Sequence, residues 1–293
     1  MNHERGQGFL LELPTLRLEL PFSPVLLNKL FFQTGDGSMA PLDDIAETIA
    51  KDQGLTAKVL TLANSAFYGL QSEVRTVQRA VTVLGLNEIR TLILALGVRH
   101  IATAHALPKT FDIAAYFEHQ LAVGLAAKEL APALGASDAD NLFTAGVLHD
   151  LGKLITAQRR PSDWQAIEAL TRDEALPFHQ AEDRYWGLDH GLIGAMILRS
   201  WNLPSELTEP VNWHHAPTHA PSHKREALCL CTADAIIHHL TTPGQPSVAP
   251  WQKVLLKFNL DVEAILLCIQ DILASRPPNL FAPASYAAAA NRL

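Results

Sequence analysis

Apolar residues recur every three to four positions along most of this chain, which is the spacing of one face of an α-helix. In the segment PLDDIAETIAKD (41–52), for example, Leu42, Ile45 and Ile49 follow the i, i+3, i+7 pattern. Comparable patterns predict helices over residues 54–70, 76–86, 87–104, 111–135, 141–160, 161–175, 189–204, 226–240 and 261–275. The pattern therefore predicts an all-α protein.

One short segment departs from this helical period. Residues 16–20 (LRLEL) alternate apolar and charged side chains, and this period of two indicates a short strand. Small residues before Pro108 indicate a boundary between two helical lobes near residues 105–110. The expected organisation is an N-terminal extension over 1–20, an N-terminal helical lobe over 21–107, a second helical lobe over 108–275 and a loosely held tail over 276–293.

Composition narrows the functional classes. The 293 residues are 48% hydrophobic, which is ample for a large core, and the net charge of -7 argues against nucleic acid as a partner. The three cysteines fit a reducing compartment. Neither a signal peptide nor an apolar run of about 18 residues is recognisable, so we expect a cytoplasmic protein without a membrane span.

Several ionisable residues stand within apolar segments, where an unpaired charge costs several kcal/mol. His149 and Asp150 lie side by side in GVLHDLGK, and Asp234 lies within CLCTADAII. Imidazole nitrogens and carboxylate oxygens are suitable ligands for Zn, Fe or Mn. The residues that we predict to ligate metal, here called the histidine–aspartate cluster, are His119, His149, Asp150, His190, His214, His215 and Asp234.

Seven ligands exceed the needs of one ion, so the cluster predicts two divalent ions with Asp150 as a bridge between them. A pair of such ions can activate a water for attack on phosphorus. Each residue also has an ordinary interpretation. His119 could be a hydrogen-bonded core histidine, the His149–Asp150 doublet a helix cap or ion pair, and His214 with His215 a solvated loop. Asp234 could pair with a Lys or Arg. The order of these residues along the chain, H…HD…H…HH…D, favours the interpretation that they ligate metal together.

The sequence leaves open the roles of three residues near the cluster. Lys153 is either a solvated surface lysine or a phosphate ligand, and Glu182 is either a partner for a ligating histidine or a surface acid. His238 follows Asp234 by one helical turn, but the adjacent His239 indicates a polar helix end. We therefore expect a surface or supporting role for His238.

The order of these residues and the phrase GVLHDLGK resemble the HD superfamily of metal-dependent phosphohydrolases. More narrowly, residues 20–240 resemble the HDOD family. The phrases that carry the resemblance are KDQGLTAKVLTLANSAFYG (51–69), TVQRAVTVLGLNEIRTLIL (76–94), AEDRYWGLDHGLIGAMILRSWNLP (181–204) and WHHAP (213–217). The resemblance implies an N-terminal helical bundle packed on an HD-type helical core.

The same resemblance bears on activity. HDOD proteins are generally viewed as bacterial signalling modules, many of which have lost their metal ligands, whereas this chain keeps the full ligand order of the related HD-GYP phosphodiesterases. The Gly-Tyr-Pro signature is absent after His215, so hydrolysis of cyclic di-GMP does not carry over. Ala115 stands where some trimetal members have an acid, so a third ion is not expected.

Together these observations predict a cytoplasmic bacterial signalling protein. It retains a centre of two Fe, Mn or Zn ions and works by docking onto a protein partner. The alternative is an active phosphohydrolase on a nucleotide or other phosphoester. In that case Asp150 and Lys153 would be the catalytic residues, with Lys153 stabilising charge on the phosphoryl oxygens. Neither nucleic acid nor a membrane is expected as a partner.

Overall fold

The computed structural model describes residues 3–16, 24–34, 38–64, 72–241 and 250–275. Within those ranges the backbone forms helices, turns and loops without a β-strand, which confirms the predicted all-α class. The strand predicted at 16–20 falls almost wholly outside the described residues, as do residues 65–69 of the family phrase and the tail 276–293. None of the described helices is both long enough and apolar enough to cross a bilayer.

The described helices follow the predicted segments closely, with additional short helices between them. They are α1 His3–Glu12, α2 Pro24–Gln33, α3 Leu42–Ala50, α4 Gln53–Ala63, α5 Val77–Leu84, α6 Leu86–Ala104, α7 Ile113–Leu134, α8 Ala139–Leu148, α9 Leu151–Arg159, α10 Pro161–Glu174, α11 Phe178–Trp186, α12 His190–Ser200, α13 Ser205–Trp213, α14 Lys224–Thr241, α15 Pro250–Lys257 and α16 Val262–Ser275.

One compact unit contains helices α2 to α6, within residues 18–104. Its helix α3 buries Ile45 and Ile49 completely, as the apolar pattern predicts. The carboxylate of Asp52 accepts a hydrogen bond from the Leu55 backbone N–H at 2.8 Å and thereby caps α4. Thr76 caps α5 in the same way through the Arg79 N–H. Local sequence therefore sets the starts of α4 and α5.

The other unit contains α1 and helices α7 to α16, within residues 1–17 and 105–276. In this unit α1 is packed rather than free, because Phe9 is fully buried and stacks on Trp186 with ring centroids 5.5 Å apart. The boundaries predicted at residues 20, 107 and 275 stay predictions.

Helices α7 and α8 approach each other closely through two glycines. A methyl group on Gly146 would overlap the Cα of Gly124, and one on Gly124 would lie 2.8 Å from the carbonyl oxygen of Phe143. His119 lies on α7 little more than one turn before Gly124, and His149 follows the last residue of α8. The glycine contact therefore brings these two histidines to the same end of the helix pair.

The prediction of one continuous helix over 141–160 is wrong at one point. Helix α8 ends at Leu148 and α9 begins at Leu151, with His149 and Asp150 between them. The Asp150 backbone (φ -96°, ψ 13°) has left the helical region, which interrupts the helix at the doublet. The apolar pattern continues on both sides of the break, so periodicity alone does not reveal it.

Candidate metal centre

Five parts of the second unit contribute to the histidine–aspartate cluster. His119 comes from α7, the doublet from the α8–α9 junction and Asp234 from α14. His190 begins α12, where Asp189 accepts a hydrogen bond from the Leu192 N–H at 2.8 Å and caps the helix. His214 and His215 directly follow the end of α13. Residues spread along the chain are thus brought to one place from helix interiors, helix ends and one junction between helices.

Asp150 lies at the middle of the cluster. Its Oδ1 is 3.4 Å from His149 Nε2 and 3.0 Å from His190 Nε2. Its Oδ2 is 3.6 Å from His119 Nε2 and 2.8 Å from the Lys153 ammonium. One carboxylate therefore faces imidazoles from three directions, which is the position that a bridging ligand would need.

Asp234 faces imidazoles as well. Its Oδ1 lies 3.1 Å from His119 Nε2, 3.7 Å from His149 Nε2 and 3.3 Å from His238 Nε2. Among the described residues its ion-pair partners are these histidines and not a Lys or Arg. The salt bridge considered for Asp234 from the sequence is therefore absent from the described part of the chain.

His214 and His215 are not a solvated loop pair. His214 is fully buried, and its ring lies 5.1 Å from that of His149 between centroids. The Nε2 of His215 lies 2.8 Å from the Nε2 of His190. His190, His214 and His215 also offer ligand atoms that all lie within 4.8 Å of one another. The ligand atom of His214 also lies within 4.8 Å of those of His149 and Asp234, so His214 connects this trio to the rest of the cluster.

The imidazoles are held in the tautomer that a metal ligand needs. The Nδ1 of His149 donates to the Gly146 carbonyl oxygen at 2.8 Å, and that of His214 donates to the Val211 carbonyl oxygen at 2.7 Å. A carbonyl oxygen only accepts, so Nδ1 carries the proton and Nε2 keeps a lone pair. The Nε2 of His149 faces Asp150 Oδ1 at 3.4 Å, and the Nε2 of His214 is buried without a hydrogen-bond partner.

Several of the facing atoms have no hydrogen-bond partner although they are buried. They are the Nε2 atoms of His119, His149 and His214 and the Oδ1 atoms of Asp150 and Asp234. Each such atom costs about 1–3 kcal/mol when it is left unsatisfied. Ligands bound at about 2.1 Å lie about 3.4 Å from one another on a tetrahedral ion. The distances of 3.1 to 3.7 Å around Asp234 match that spacing, so the residues fit a divalent cation.

The carboxylates of the cluster are ionised. Burial alone would raise the pKa of Asp150, but His149 and Lys153 hold it well below its usual value. Burial likewise opposes the ionisation of Asp234, yet the imidazoles around it, His119 foremost, hold its pKa well below the usual range. Two negative charges therefore persist in a buried region, as a cation site requires.

The buried imidazoles differ in the direction in which their pKa is shifted. Burial and neighbouring imidazoles lower the pKa of both His214 and His215, so these rings stay neutral and able to ligate. Burial would also lower the pKa of His190, but Glu182 and Asp150 raise it to about 9. In the absence of metal a protonated His190 thus supplies part of the compensating charge, and cation binding would displace that proton.

Glu182, whose role the sequence leaves open, is a hydrogen-bond partner of His190. It is fully buried, and one carboxylate oxygen lies 2.5 Å from His190 Nδ1 while also accepting from the His190 backbone N–H at 3.0 Å. Such a carboxylate fixes the ring orientation and strengthens the other ring nitrogen as a ligand. Glu182 is therefore part of the site and not a surface acid.

Replacing Glu182 with glutamine is expected to weaken cation affinity by about 10–100-fold, because the ring loses its charged partner. Calorimetric titration of metal-free protein with Mn²⁺ measures this change. The exposed neighbour Asp183 provides the control, since Asp183→Asn alters a similar charge outside the cluster. Equal affinities for Glu182→Gln and the unaltered protein would show that Glu182 does not support the ligand.

Two more histidines lie against the cluster. His238, for which the sequence favours a surface or supporting role, contacts Asp234, although its side chain is 52% exposed. His179 was not anticipated, and it stacks on His215 with centroids 4.0 Å apart and planes 13° apart. The contact of His238 has a sequence signal, which is its i, i+4 spacing from Asp234. The stacking of His179 has none, because His179 lies on α11 and His215 follows α13.

An open cleft of about 410 Å³ adjoins the cluster at Lys153. Trp164, Arg172 and Phe178 also line it. The Lys153 ammonium lies 5.6 Å from the centroid of the Phe178 ring, and the His190 ring lies 6.2 Å from the same centroid. With only 17% of its side chain exposed, Lys153 is not a solvated surface lysine. Its charge lies between the cluster and a mostly apolar cleft.

Comparison with known proteins gives a consistent family likeness. The HDOD domain matches residues 20–217 of the chain. A curated protein from Treponema pallidum (strain Nichols), described as uncharacterized, is 28% identical over 181 residues. Those residues are 61% of this chain, which therefore spans only 34% of the relative's length.

Solved structures share the fold. A candidate phosphohydrolase from Shewanella amazonensis SB2B is 24% identical, with a TM-score of 0.69 over 90% of this chain and 93% of that chain. An HDOD domain protein of unknown function from Geobacter sulfurreducens is 24% identical, with a TM-score of 0.66 over 93% and 89%. A candidate signal transduction protein from Marinobacter aquaeolei VT8 is 22% identical, with a TM-score of 0.73 over 94% and 64%.

Proposed function

The chain belongs to the HDOD family, and on that premise we propose that it is a cytoplasmic bacterial signalling protein whose HD centre holds two divalent cations. The observation that carries the proposal is the convergence of unpartnered imidazole nitrogens on two ionised carboxylates. The Shewanella and Marinobacter structures, described as a candidate phosphohydrolase and a candidate signal transduction protein, support it at the level of the fold.

We assign the ligands to two sets that share Asp150. His190, His214 and His215 would hold an inner cation, and His119, His149 and Asp234 would hold an outer one. Sets so rich in imidazole favour Fe, Mn or Zn over Ca²⁺ or Mg²⁺, which prefer oxygen ligands. These two positions are named the inner and the outer cation position below.

A signalling role requires a partner, and we place its docking surface on the unit within residues 18–104. Among the described residues of that unit, Phe32, Met39 and Leu42 expose large apolar side chains, as Leu11, Leu256 and Leu267 do in the other unit. The unit within residues 18–104 is preferred because it contributes none of the ligands of the cluster. Occupancy of the cation positions would then be the state that the partner senses.

A second candidate function is the hydrolysis of a phosphoester, and the cleft beside Lys153 favours it. When bound, the cations would polarise a phosphoryl oxygen and activate water. The Lys153 ammonium, 2.8 Å from Asp150, would bind a phosphoryl oxygen at the cluster. Phe178 and Trp164 would accommodate the organic group of the ester in the cleft.

A phosphoester panel discriminates between the two functions. The protein is loaded with Mn²⁺ or Fe²⁺ and incubated with p-nitrophenyl phosphate, bis-p-nitrophenyl phosphate and nucleoside monophosphates, with Asp150→Ala as the control. The signalling proposal expects about two bound cations, with release of p-nitrophenol from the two nitrophenyl esters and of phosphate from the nucleotides no faster than in the control. Rapid hydrolysis that disappears in Asp150→Ala would establish the second function instead.

A further inference from the structure

His238 lies at the solvent side of the outer cation position. It follows Asp234 by one turn of α14, and its Nε2 is 3.3 Å from Asp234 Oδ1. Its ring centroid lies 4.7 Å from that of His119, and half of its side chain is exposed. By contrast, His149, which faces the same carboxylate oxygen, is fully buried.

The contact between His238 and Asp234 is not an ordinary hydrogen bond. Asp234 Oδ1 has no hydrogen-bond partner, although three imidazole nitrogens lie within 3.7 Å of it. The ligand atoms of His119, Asp234 and His238 all lie within 4.8 Å of one another. Nitrogen and oxygen atoms about 3.4 Å apart without hydrogen-bond geometry are arranged as ligands of one ion would be.

We propose that His238 is an additional ligand of the outer cation and occupies the coordination position that faces solvent. This inference rests on the proposed function, which supplies the outer position itself. A further imidazole makes that position still more selective for ions such as Zn²⁺ or Co²⁺. With His119, His149, Asp234 and the shared Asp150, His238 would give the outer cation five protein ligands. A cation with more protein ligands leaves fewer positions for water or substrate.

Two substitutions separate ligation from simple contact. His238→Ala removes the ligand at an exposed position, so the fold is unaffected. His238→Glu supplies a carboxylate that can ligate a cation but repels Asp234 when no cation is present. If His238 only donated a hydrogen bond to Asp234, glutamate would be a worse replacement than alanine. If His238 ligates, glutamate restores binding.

The experiment is a Co²⁺ titration of metal-free protein, followed by calorimetry and by the visible absorption of bound Co²⁺. We expect His238→Ala to weaken one of the two binding events by at least about tenfold and to change the absorption bands. His238→Glu is expected to recover most of that affinity. The control His239→Ala changes the next histidine of α14, whose ring lies against Trp251, and should bind as the unaltered protein does.

The outcomes are distinguishable. Failure of the unaltered protein to bind any Co²⁺, Mn²⁺, Fe²⁺ or Zn²⁺ would overturn the proposed function and this inference with it. Binding that is the same in the unaltered protein and in His238→Ala would overturn the inference alone. Weaker binding by His238→Glu than by His238→Ala would also overturn the inference alone, because a ligating carboxylate could not behave in that way.

Discussion

Replacing Asp150 with alanine is expected to abolish tight cation binding while the helical fold is kept. Asp150 faces both cation positions, with oxygens 3.0 Å from His190 Nε2 and 3.6 Å from His119 Nε2. Its removal takes a shared ligand and a buried negative charge from both ions at once. Affinity for Mn²⁺ should fall by more than about 100-fold, beyond the loss expected for a residue that acts only through a ligand.

The measurement is calorimetric titration with Mn²⁺, with circular dichroism to verify the helices. Asp163→Ala serves as the matched control, because Asp163 is also a buried carboxylate but pairs with Arg5 and accepts from the Tyr185 hydroxyl. That variant should lose stability and retain cation binding. If Asp150→Ala binds Mn²⁺ as tightly as the control does, Asp150 is not a shared ligand.

Gly152→Ala is expected to destabilise the folded protein, which is the second large effect. Helices α9 and α12 meet at Gly152, where an added methyl group would overlap the His190 carbonyl oxygen and lie 2.8 Å from the His190 Cα. Backbone atoms cannot yield as a flexible side chain can, so the helices must separate. The free energy of unfolding should fall by about 1–3 kcal/mol or more, and cation affinity should fall with it because His190 moves from Asp150.

Gly8→Ala is the matched control for this change. Gly8 lies within α1 of the same unit, and a methyl group there would meet no atom within 4 Å. Alanine in a helix is more stable than glycine by up to about 1 kcal/mol, so Gly8→Ala should be neutral or stabilising. Urea denaturation measures both variants. Equal stability of Gly152→Ala and the unaltered protein would contradict the close approach of α9 and α12.

The helices could be predicted from the sequence where the spacing of apolar residues alone determines them. The apolar period predicted α7, α10 and α16 to within two residues. In α10, for example, Trp164 and Ile167 are buried at i, i+3 spacing. The break between α8 and α9 was not predictable in this way. Apolar residues continue on both sides of Asp150, and the backbone conformation at the junction depends on what the doublet contacts in the folded protein.

The order of the ionisable residues along the sequence predicted which side chains lie together in the cluster, but it did not predict the residues that support them. Ionisable residues in apolar segments require compensation, and that requirement pointed to Asp150 and Asp234. Nothing local distinguishes Glu182 from a surface acid, because its partner His190 lies on another helix. The stacking of His179 on His215 depends in the same way on contacts between helices.

The central claim is that the histidine–aspartate cluster binds two divalent cations that share Asp150. Crystals grown with Mn²⁺ and measured at the Mn absorption edge test it most directly, because anomalous difference maps locate each ion independently of the protein. We expect two peaks flanking the Asp150 carboxylate, one beside His190 and the other beside Asp234. An anomalous map without peaks at the cluster, with its imidazoles hydrogen-bonded to one another or to water, would contradict the account.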